Sequence, residues 1–109
     1  MRDRVDIPAE QLLYVDSILR VTCTAMPVSS MIRIVGEVDA CNSGELLRAL
    51  TQARQVDDSL IIDVGGLSFV DVTGLRVLAA VAEAGGAVIC NTPPQMSRLM
   101  GLLRMPAFD

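Results

Sequence analysis

The chain has 109 residues, of which 51% are apolar and 20% charged, a composition typical of one soluble globular domain. Histidine and lysine are both absent, which excludes histidine acid–base catalysis, histidine-ligated metals and lysine Schiff-base chemistry. The net charge is −4 and no basic run occurs, so a nucleic-acid partner is not expected. We therefore predict a protein that is not an enzyme, with no catalytic residue, metal or cofactor.

The N-terminal part of the chain is mostly polar, and we assign residues 1–17 to an extension and residues 18–109 to a domain. The first residues lack the apolar core of a secretion signal, and no apolar run reaches the ~18 residues of a membrane span. The three cysteines show no CxxC spacing, which is typical of reduced thiols. These features predict a cytoplasmic protein without direct membrane insertion.

The first half of the domain has the pattern of a hairpin followed by a helix. Residues 18–24 and 31–35 alternate or run apolar as strands do, and Gly36 is expected to end the second strand. Asn42 and Glu45 have the spacing of a capping box at the start of the helix. The apolar face of this helix is formed by Leu46, Leu47, Leu50 and Ala53, so we expect these residues to be buried.

The second half of the domain contains two further strands and two helices. Residues 60–64 predict a short strand buried on both faces, with Gly65 and Gly66 as a turn after it. A helix with Asp71 as its N-cap follows, then a strand over residues 87–90 and a last helix beginning within residues 92–95. The order β-β-α-β-α-β-α predicts an α/β fold, in which helices form crossovers over a mixed sheet of about four strands.

Two segments of the chain resemble the STAS domain of bacterial anti-sigma-factor antagonists. Residues 32–50, IRIVGEVDACNSGELLRAL, are similar to the family's G-E-[ILV]-D motif and the helix after it. Residues 60–78 are similar to its apolar strand, a few variable residues and the motif D-S-[ST]-G-L. The resemblance extends over residues 18–105 and implies a STAS-like fold.

The resemblance also implies a function, which is a switch in transcription regulation without enzymatic activity. Members of this family bind an anti-sigma factor that is also an ATP-dependent serine kinase, and this binding frees the sigma factor. The kinase phosphorylates the serine that follows the aspartate of the motif, and the complex then dissociates. The positions that correspond to the family's contact region form what we call the docking surface: Asp39, Cys41, Asn42, Asp71, Val72, Thr73, Gly74 and Arg76.

The sequence departs from the family pattern at the switch itself. Val72 occupies the position of the usual serine and has no hydroxyl group, whereas Thr73 keeps one and becomes the phosphorylation candidate. Other interpretations remain open: an antagonist that is never phosphorylated, or one controlled by oxidation of Cys41. Arg76 stands where the family commonly has a small residue, so a different partner is also open.

Two further interpretations concern the partner. A STAS regulatory subunit that docks on the ATPase of a lipid-transport or other ABC system is the alternative to the anti-sigma-factor antagonist. An apolar surface left uncovered by the helices would be available to a second copy of the chain, which would make the protein a homodimer.

Overall fold

A computed structural model describes residues 9–108, and within this range three helices and a five-stranded sheet share one core. The strands are β1 (Glu10–Val15), β2 (Leu19–Thr24), β3 (Ser30–Val38), β4 (Leu60–Val70) and β5 (Ala87–Cys90), and the helices are α1 (Ser43–Val56), α2 (Val72–Glu83) and α3 (Pro94–Leu102). The strands lie in the order β1-β2-β3-β4-β5, the first three antiparallel and the last three parallel. The predicted α/β fold with a mixed sheet is confirmed.

The prediction of about four strands is corrected by β1, which pairs with β2 at one edge of the sheet. The register of this pair shifts between Leu12 and Tyr14, so one extra residue interrupts the alternation that would have indicated a strand. β1 lies in the segment assigned to the N-terminal extension. Residues 1–8 of that extension lie outside the described residues, and the division at residue 17 stays a prediction.

β3 and β4 are both longer than the sequence predicts, because their glycines do not end them. β3 continues through Gly36, and β4 continues through Gly65 and Gly66 with two register shifts against β3. A Cβ atom at Gly36 would lie 2.0 Å from the carbonyl oxygen of Ile18, and one at Gly66 would lie 2.8 Å from the Val35 side chain. These glycines therefore mark close backbone approaches and bulges inside the sheet.

The core lies on one face of the sheet. Leu60, Ile62 and Val64 of β4 are buried, whereas Ile61 and Asp63 are only half-buried, so the prediction of a strand buried on both faces is wrong. Buried side chains from all three helices belong to this core cluster, whereas Leu47 of α1, which was predicted to be buried, is 41% exposed. Each fully buried aliphatic side chain contributes roughly 1.5–3 kcal/mol to the hydrophobic stabilisation.

The helix starts differ in how they are capped. Asp71 is the N-cap of α2, as predicted, and its side chain accepts a hydrogen bond from the Gly74 amide. The predicted capping box of α1 is wrong, because Asn42 makes no side-chain cap bond and points into the preceding loop instead. α3 begins after Pro93, also without a side-chain cap. Within residues 9–108, the helices are too short or too polar to span a membrane.

Candidate functional site

The docking surface lies where the carboxyl ends of β3 and β4 meet. Val38 and Val70 are paired at these ends, and the Asp71 amide donates to the Val38 carbonyl oxygen at 3.1 Å. Because β3 and β4 are parallel neighbours, the loops that follow them come together at one edge of the sheet. The two predicted segments, residues 39–42 and 71–76, are therefore brought to the same end of the molecule.

Asp71 organises the start of α2. One carboxylate oxygen, Oδ1, accepts from the Thr73 hydroxyl at 2.5 Å and from the Gly74 amide at 3.0 Å. The hydrogen bond from Thr73 is the main cause that lowers the pKa of Asp71, and the backbone amides of Gly74, Thr73 and Ala40 lower it further, while burial opposes them. The Asp71 amide bonds to Val38, the last residue of β3, so Asp71 lies beside the β3–α1 loop.

Asn42 fixes the β3–α1 loop through the hydrogen bonds of its side chain. Its side chain is buried, and its amide nitrogen donates to the Glu37 carbonyl oxygen at 3.0 Å and to the Asp16 carboxylate at 3.3 Å. Its amide oxygen accepts from the Asp39 backbone at 2.9 Å. The Asp39 carboxylate in turn accepts from the Cys41 amide at 2.9 Å. Asn42 and Asp39 therefore fix the shape of this loop, and Cys41 is exposed on its outside.

Asp16 supports the site from the β1–β2 turn, and the sequence analysis missed it. Its carboxylate accepts from the Ile18 and Leu19 amides and from the Tyr14 hydroxyl as well as from Asn42. The amide of Ile18 is the largest cause of the lowered pKa of Asp16, and the hydrogen bond to Asp16 raises the pKa of Tyr14 to about 12. An aspartate three residues before a strand is typical of such a turn, but its contact with residue 42 leaves no local signal.

The eight residues of the docking surface divide into three groups by exposure. Cys41, Thr73 and Arg76 are exposed, Asp39, Asp71 and Val72 are partly exposed, and Asn42 and Gly74 are buried. A Cβ atom at Gly74 would lie 2.7 Å from methyl groups of Val38 and Val70. Gly74 and Asn42 therefore hold the site together, while the exposed group can contact another molecule.

Phe69 is a further candidate contact that the sequence analysis did not assign. It lies at the end of β4, two residues before Asp71, and its side chain is 51% exposed. The chain has three aromatic residues in all, so the aromatic side chain just before the motif at residues 71–75 was a usable signal of a contact residue. Exposed aromatic residues are enriched in protein–protein interfaces. The predicted strand over residues 60–64 ends before Phe69, so Phe69 could not be assigned to this surface from the sequence.

The site has the character of a contact surface. In the described part of the chain, no three Cys, Asp or Glu side chains come together as metal ligands. The groups that this surface exposes are the hydroxyl of Thr73 and the guanidinium of Arg76 on α2, and the thiol of Cys41 in the β3–α1 loop. Such groups can recognise a partner by hydrogen bonds and charge.

Comparison with known proteins gives a family match over most of the chain. Residues 21–107 match the family model described as "Mlab, STAS domain". The search of curated protein sequences finds no match.

Solved structures share the fold. A crystal structure of an anti-sigma factor antagonist from Mycobacterium paratuberculosis has a TM-score of 0.70 and 22% identity, over 79% of this chain and 78% of that chain. SpoIIAA, an anti-sigma factor antagonist in its unphosphorylated form, gives 0.54 and 22%, over 86% of this chain and 83% of that one. An antisigma-factor antagonist STAS domain from Rhodobacter sphaeroides gives 0.53 and 18%, over 67% and 84%. At these identities the likeness establishes the fold.

Proposed function

The chain belongs to the STAS domain family, and on that premise we propose that it is an anti-sigma-factor antagonist. It acts in the cytoplasm without enzymatic activity, binds a kinase-type anti-sigma factor through the docking surface and so releases a sigma factor. The observation that carries the proposal is the exposed start of α2, which Asp71 caps next to the β3–α1 loop. The three solved structures that share the fold are described as anti-sigma-factor antagonists, which supports the same function here.

The partner contact follows from the groups that face outward. Arg76 is exposed one turn after Asp71, so its guanidinium can pair with a carboxylate of the anti-sigma factor. Phe69 and Val72 add apolar area beside it, and the buried Asn42 keeps the neighbouring loop in place without touching the partner. Apolar contacts then provide much of the affinity, and the charged contact provides much of the specificity.

Thr73 is the proposed phosphorylation site. It is exposed, and its hydroxyl donates to the Asp71 carboxylate at 2.5 Å. Phosphorylation would remove this donor and place a charge of about −1.5 to −2 beside the carboxylate. Repulsion between these two anions would disturb the cap of α2 and disfavour the bound partner. If Thr73 is not modified, the antagonist is constitutive or is controlled otherwise, as through oxidation of the exposed Cys41.

The contact is tested by binding measurements with the purified ATPase-fold anti-sigma factors of the source organism. We expect Arg76→Glu to weaken binding on the order of tenfold, because it places a carboxylate against an acidic partner surface. Arg98→Glu is the matched control, since Arg98 is also an exposed helical arginine but lies on α3. Equal affinity of the two variants would contradict the proposed contact.

The modification is tested separately with the anti-sigma kinase and ATP. Mass spectrometry is expected to find one phosphate on the wild type and on Thr51→Ala, and none on Thr73→Ala. Thr51 is an exposed threonine of α1 and serves as the control hydroxyl. Binding of the partner without any phosphate on Thr73 would support a constitutive antagonist instead.

The alternative function is that of a STAS regulatory subunit that docks on the ATPase of a lipid-transport or other ABC system. Two observations favour it: Val72 has no hydroxyl at the usual serine position, and the matching family model is described as "Mlab, STAS domain". Parallel titrations of the chain with purified ABC ATPases and anti-sigma factors distinguish the two functions. Binding to an ABC ATPase alone would replace the first proposal with this one.

A further inference from the structure

A groove of about 340 Å³ lies between α1 and α2, towards the carboxyl end of each helix. This volume is at the lower end of the range of small-molecule sites. The two helices line the groove with both apolar and polar side chains: Leu47, Thr51, Arg54, Gln55, Ala80 and Ala84. The docking surface uses the opposite ends of the same two helices, so the groove is a separate site.

Part of this lining is exposed apolar surface. Leu47 is 41% exposed, although its neighbours Leu46 and Leu50 on α1 are buried. Ala80 and Ala84, on the α2 side of the groove, have only methyl side chains, so they fill little of the space between the helices. A ligand with an aliphatic chain over Leu47 would therefore remove apolar surface from water, which favours binding.

Arg54 is the one charged residue among those that line the groove. It is half-buried, and its Nη2 atom would lie 3.2 Å from a Cβ atom at Gly86, so the guanidinium lies beside the α2–β5 turn. Among the residues that the structure describes, Nε of Arg54 is the one buried side-chain nitrogen or oxygen atom without a hydrogen-bond partner. The ion pairs between arginine and carboxylate side chains in that part of the chain do not include Arg54.

This environment makes the guanidinium of Arg54 a stronger partner for an anion than an exposed arginine is. The burial of Nε removes part of the hydration of the cation, and no acceptor in the described residues replaces it. Charges attract each other more strongly in such a partly desolvated place than in water. Arg54 is in the last turn of α1, where the helix dipole favours a cation, and the same dipole limits how much negative charge a ligand can bring.

We infer that the groove between α1 and α2 binds an aliphatic monocarboxylate with a chain of about six to eight carbons. Its carboxylate accepts hydrogen bonds from the Nη groups of Arg54, and its chain covers Leu47. Thr51 and Gln55 also line the groove, and their hydroxyl and amide groups can donate to the second carboxylate oxygen. One negative charge matches the one cation of the groove. The site uses none of the residues of the docking surface, so it can fail while the proposed function holds, and the reverse.

NMR titration of the isotope-labelled full chain with hexanoate at constant ionic strength tests the inference. We expect a Kd on the order of 1 mM, with shifts in the amide signals of residues 47–55 and 80–86. Hexanol keeps the chain without the charge, and acetate keeps the charge without the chain, so both should bind on the order of tenfold more weakly. Hexanoate without saturable shifts up to about 50 mM would overturn the inference, and so would hexanol that binds as tightly as hexanoate.

Substitution of Arg54 identifies the cation. Arg54→Gln should raise the Kd for hexanoate on the order of tenfold, whereas Arg54→Lys keeps the charge and should stay within about fivefold of the wild type. Arg48→Gln is the matched control, because Arg48 is an exposed arginine of the same helix, pairs with Glu45 and lies outside the groove; its Kd should be unchanged. Thermal unfolding verifies that each variant is folded, and the comparison with hexanol needs the wild type alone. Equal Kd values for Arg54→Gln and the wild type would overturn the inference.

Discussion

The two ends of the β3–β4 pair are each organised by one half-buried aspartate, yet only one end exposes the hydroxyl group that donates to it. At the amino end, the Asp57 carboxylate accepts from the Ser30 amide at 3.0 Å, the Ser30 hydroxyl at 2.7 Å and the Ser59 amide at 3.0 Å. At the carboxyl end, Asp71 accepts from Thr73 and Gly74. Both carboxylates therefore combine backbone and hydroxyl donors in the same way.

The difference lies in the exposure of the hydroxyl donor. Ser30 is 8% exposed at the start of β3, so its bond to Asp57 closes the amino end and serves stability. Thr73 is exposed on the first turn of α2, so its bond to Asp71 is accessible to a kinase or a partner. The same carboxylate chemistry is closed off from solvent where its hydroxyl donor is buried, and accessible to other molecules where its donor is exposed.

The largest expected effect is a loss of stability when the amino end is disrupted. Gly86 has a φ of +78°, and a Cβ atom there would lie 2.5 Å from the Asp58 carbonyl oxygen. Gly86→Ala adds backbone strain and a clash with main chain, so unfolding in urea should show a loss of at least ~2 kcal/mol.

Gly85→Ala is the matched control for this prediction. Gly85 also has a positive φ, of +84°, but nothing lies within 4 Å of its would-be Cβ atom, so the strain alone remains. We expect a loss of about 1 kcal/mol for Gly85→Ala. Equal losses for the two variants would show that the contact with Asp58 has no effect on stability.

The next largest expected effect distinguishes the roles of Asp57 and Asp71. Asp57→Ala should lower the midpoint of thermal unfolding and leave partner affinity unchanged at a temperature where the variant is folded. Asp71→Ala should cost about 1 kcal/mol through the lost N-cap and also weaken partner binding. Calorimetric unfolding and titration of both variants check this. An Asp57→Ala protein that is folded but cannot bind would contradict the division between the two ends.

A smaller effect concerns Tyr14, whose pKa is raised to about 12 mainly by its hydrogen bond to Asp16. A raised tyrosine pKa contributes stability that is present below the ordinary value of 10.0 and is lost as pH rises towards 12. Asp16→Asn should move the pKa back towards 10.0. Ultraviolet titration reports it without interference, because the chain has one tyrosine and no tryptophan. An unchanged midpoint in Asp16→Asn would contradict the hydrogen bond from Tyr14 to Asp16 as the cause of the raised pKa.

The smallest expected effect is a change in the pKa of Asp71. Its lowered pKa contributes stability that is present above the ordinary value of 3.8 and is lost as pH falls through the folded value. Thr73→Val removes the main donor and should raise the pKa of Asp71 towards 3.8, which NMR titration of the carboxyl carbon measures. Thr51→Val, on the outside of α1, should leave that pKa unchanged.

The order of the elements from β2 to α3 could be predicted from the sequence, because it depends on local patterns. The apolar spacing around Leu75 and Leu78 and the cap at Asp71 specify α2 without distant contacts. The glycines could not be interpreted in this way, since Gly36 and Gly66 are required by neighbouring strands that the local sequence does not show. Glycine is favoured both in turns and at close contacts between strands, so its presence in the sequence does not distinguish the two.

The contacts inside the site could not be predicted from local patterns either. Asn42 looked like a helix cap, but it bonds to the Glu37 carbonyl oxygen and to Asp16, which is 26 residues away in the chain. The register shifts of β4, which place Phe69 on the surface and Val70 in the core, depend on pairing with β3. That two loops meet at the carboxyl ends of β3 and β4 could be predicted from the sequence, and only the folded chain separates the residues that hold these loops from those that are exposed.

Release of the sigma factor tests the central claim most directly. A preformed complex of sigma factor and anti-sigma factor would be titrated with wild type, Thr73→Glu and Thr51→Glu, and free sigma factor measured by gel filtration. We predict stoichiometric release by the wild type and by Thr51→Glu, and little release by Thr73→Glu, because a carboxylate at residue 73 repels Asp71. Release by Thr73→Glu equal to the wild type, or no release by the wild type, would contradict the account.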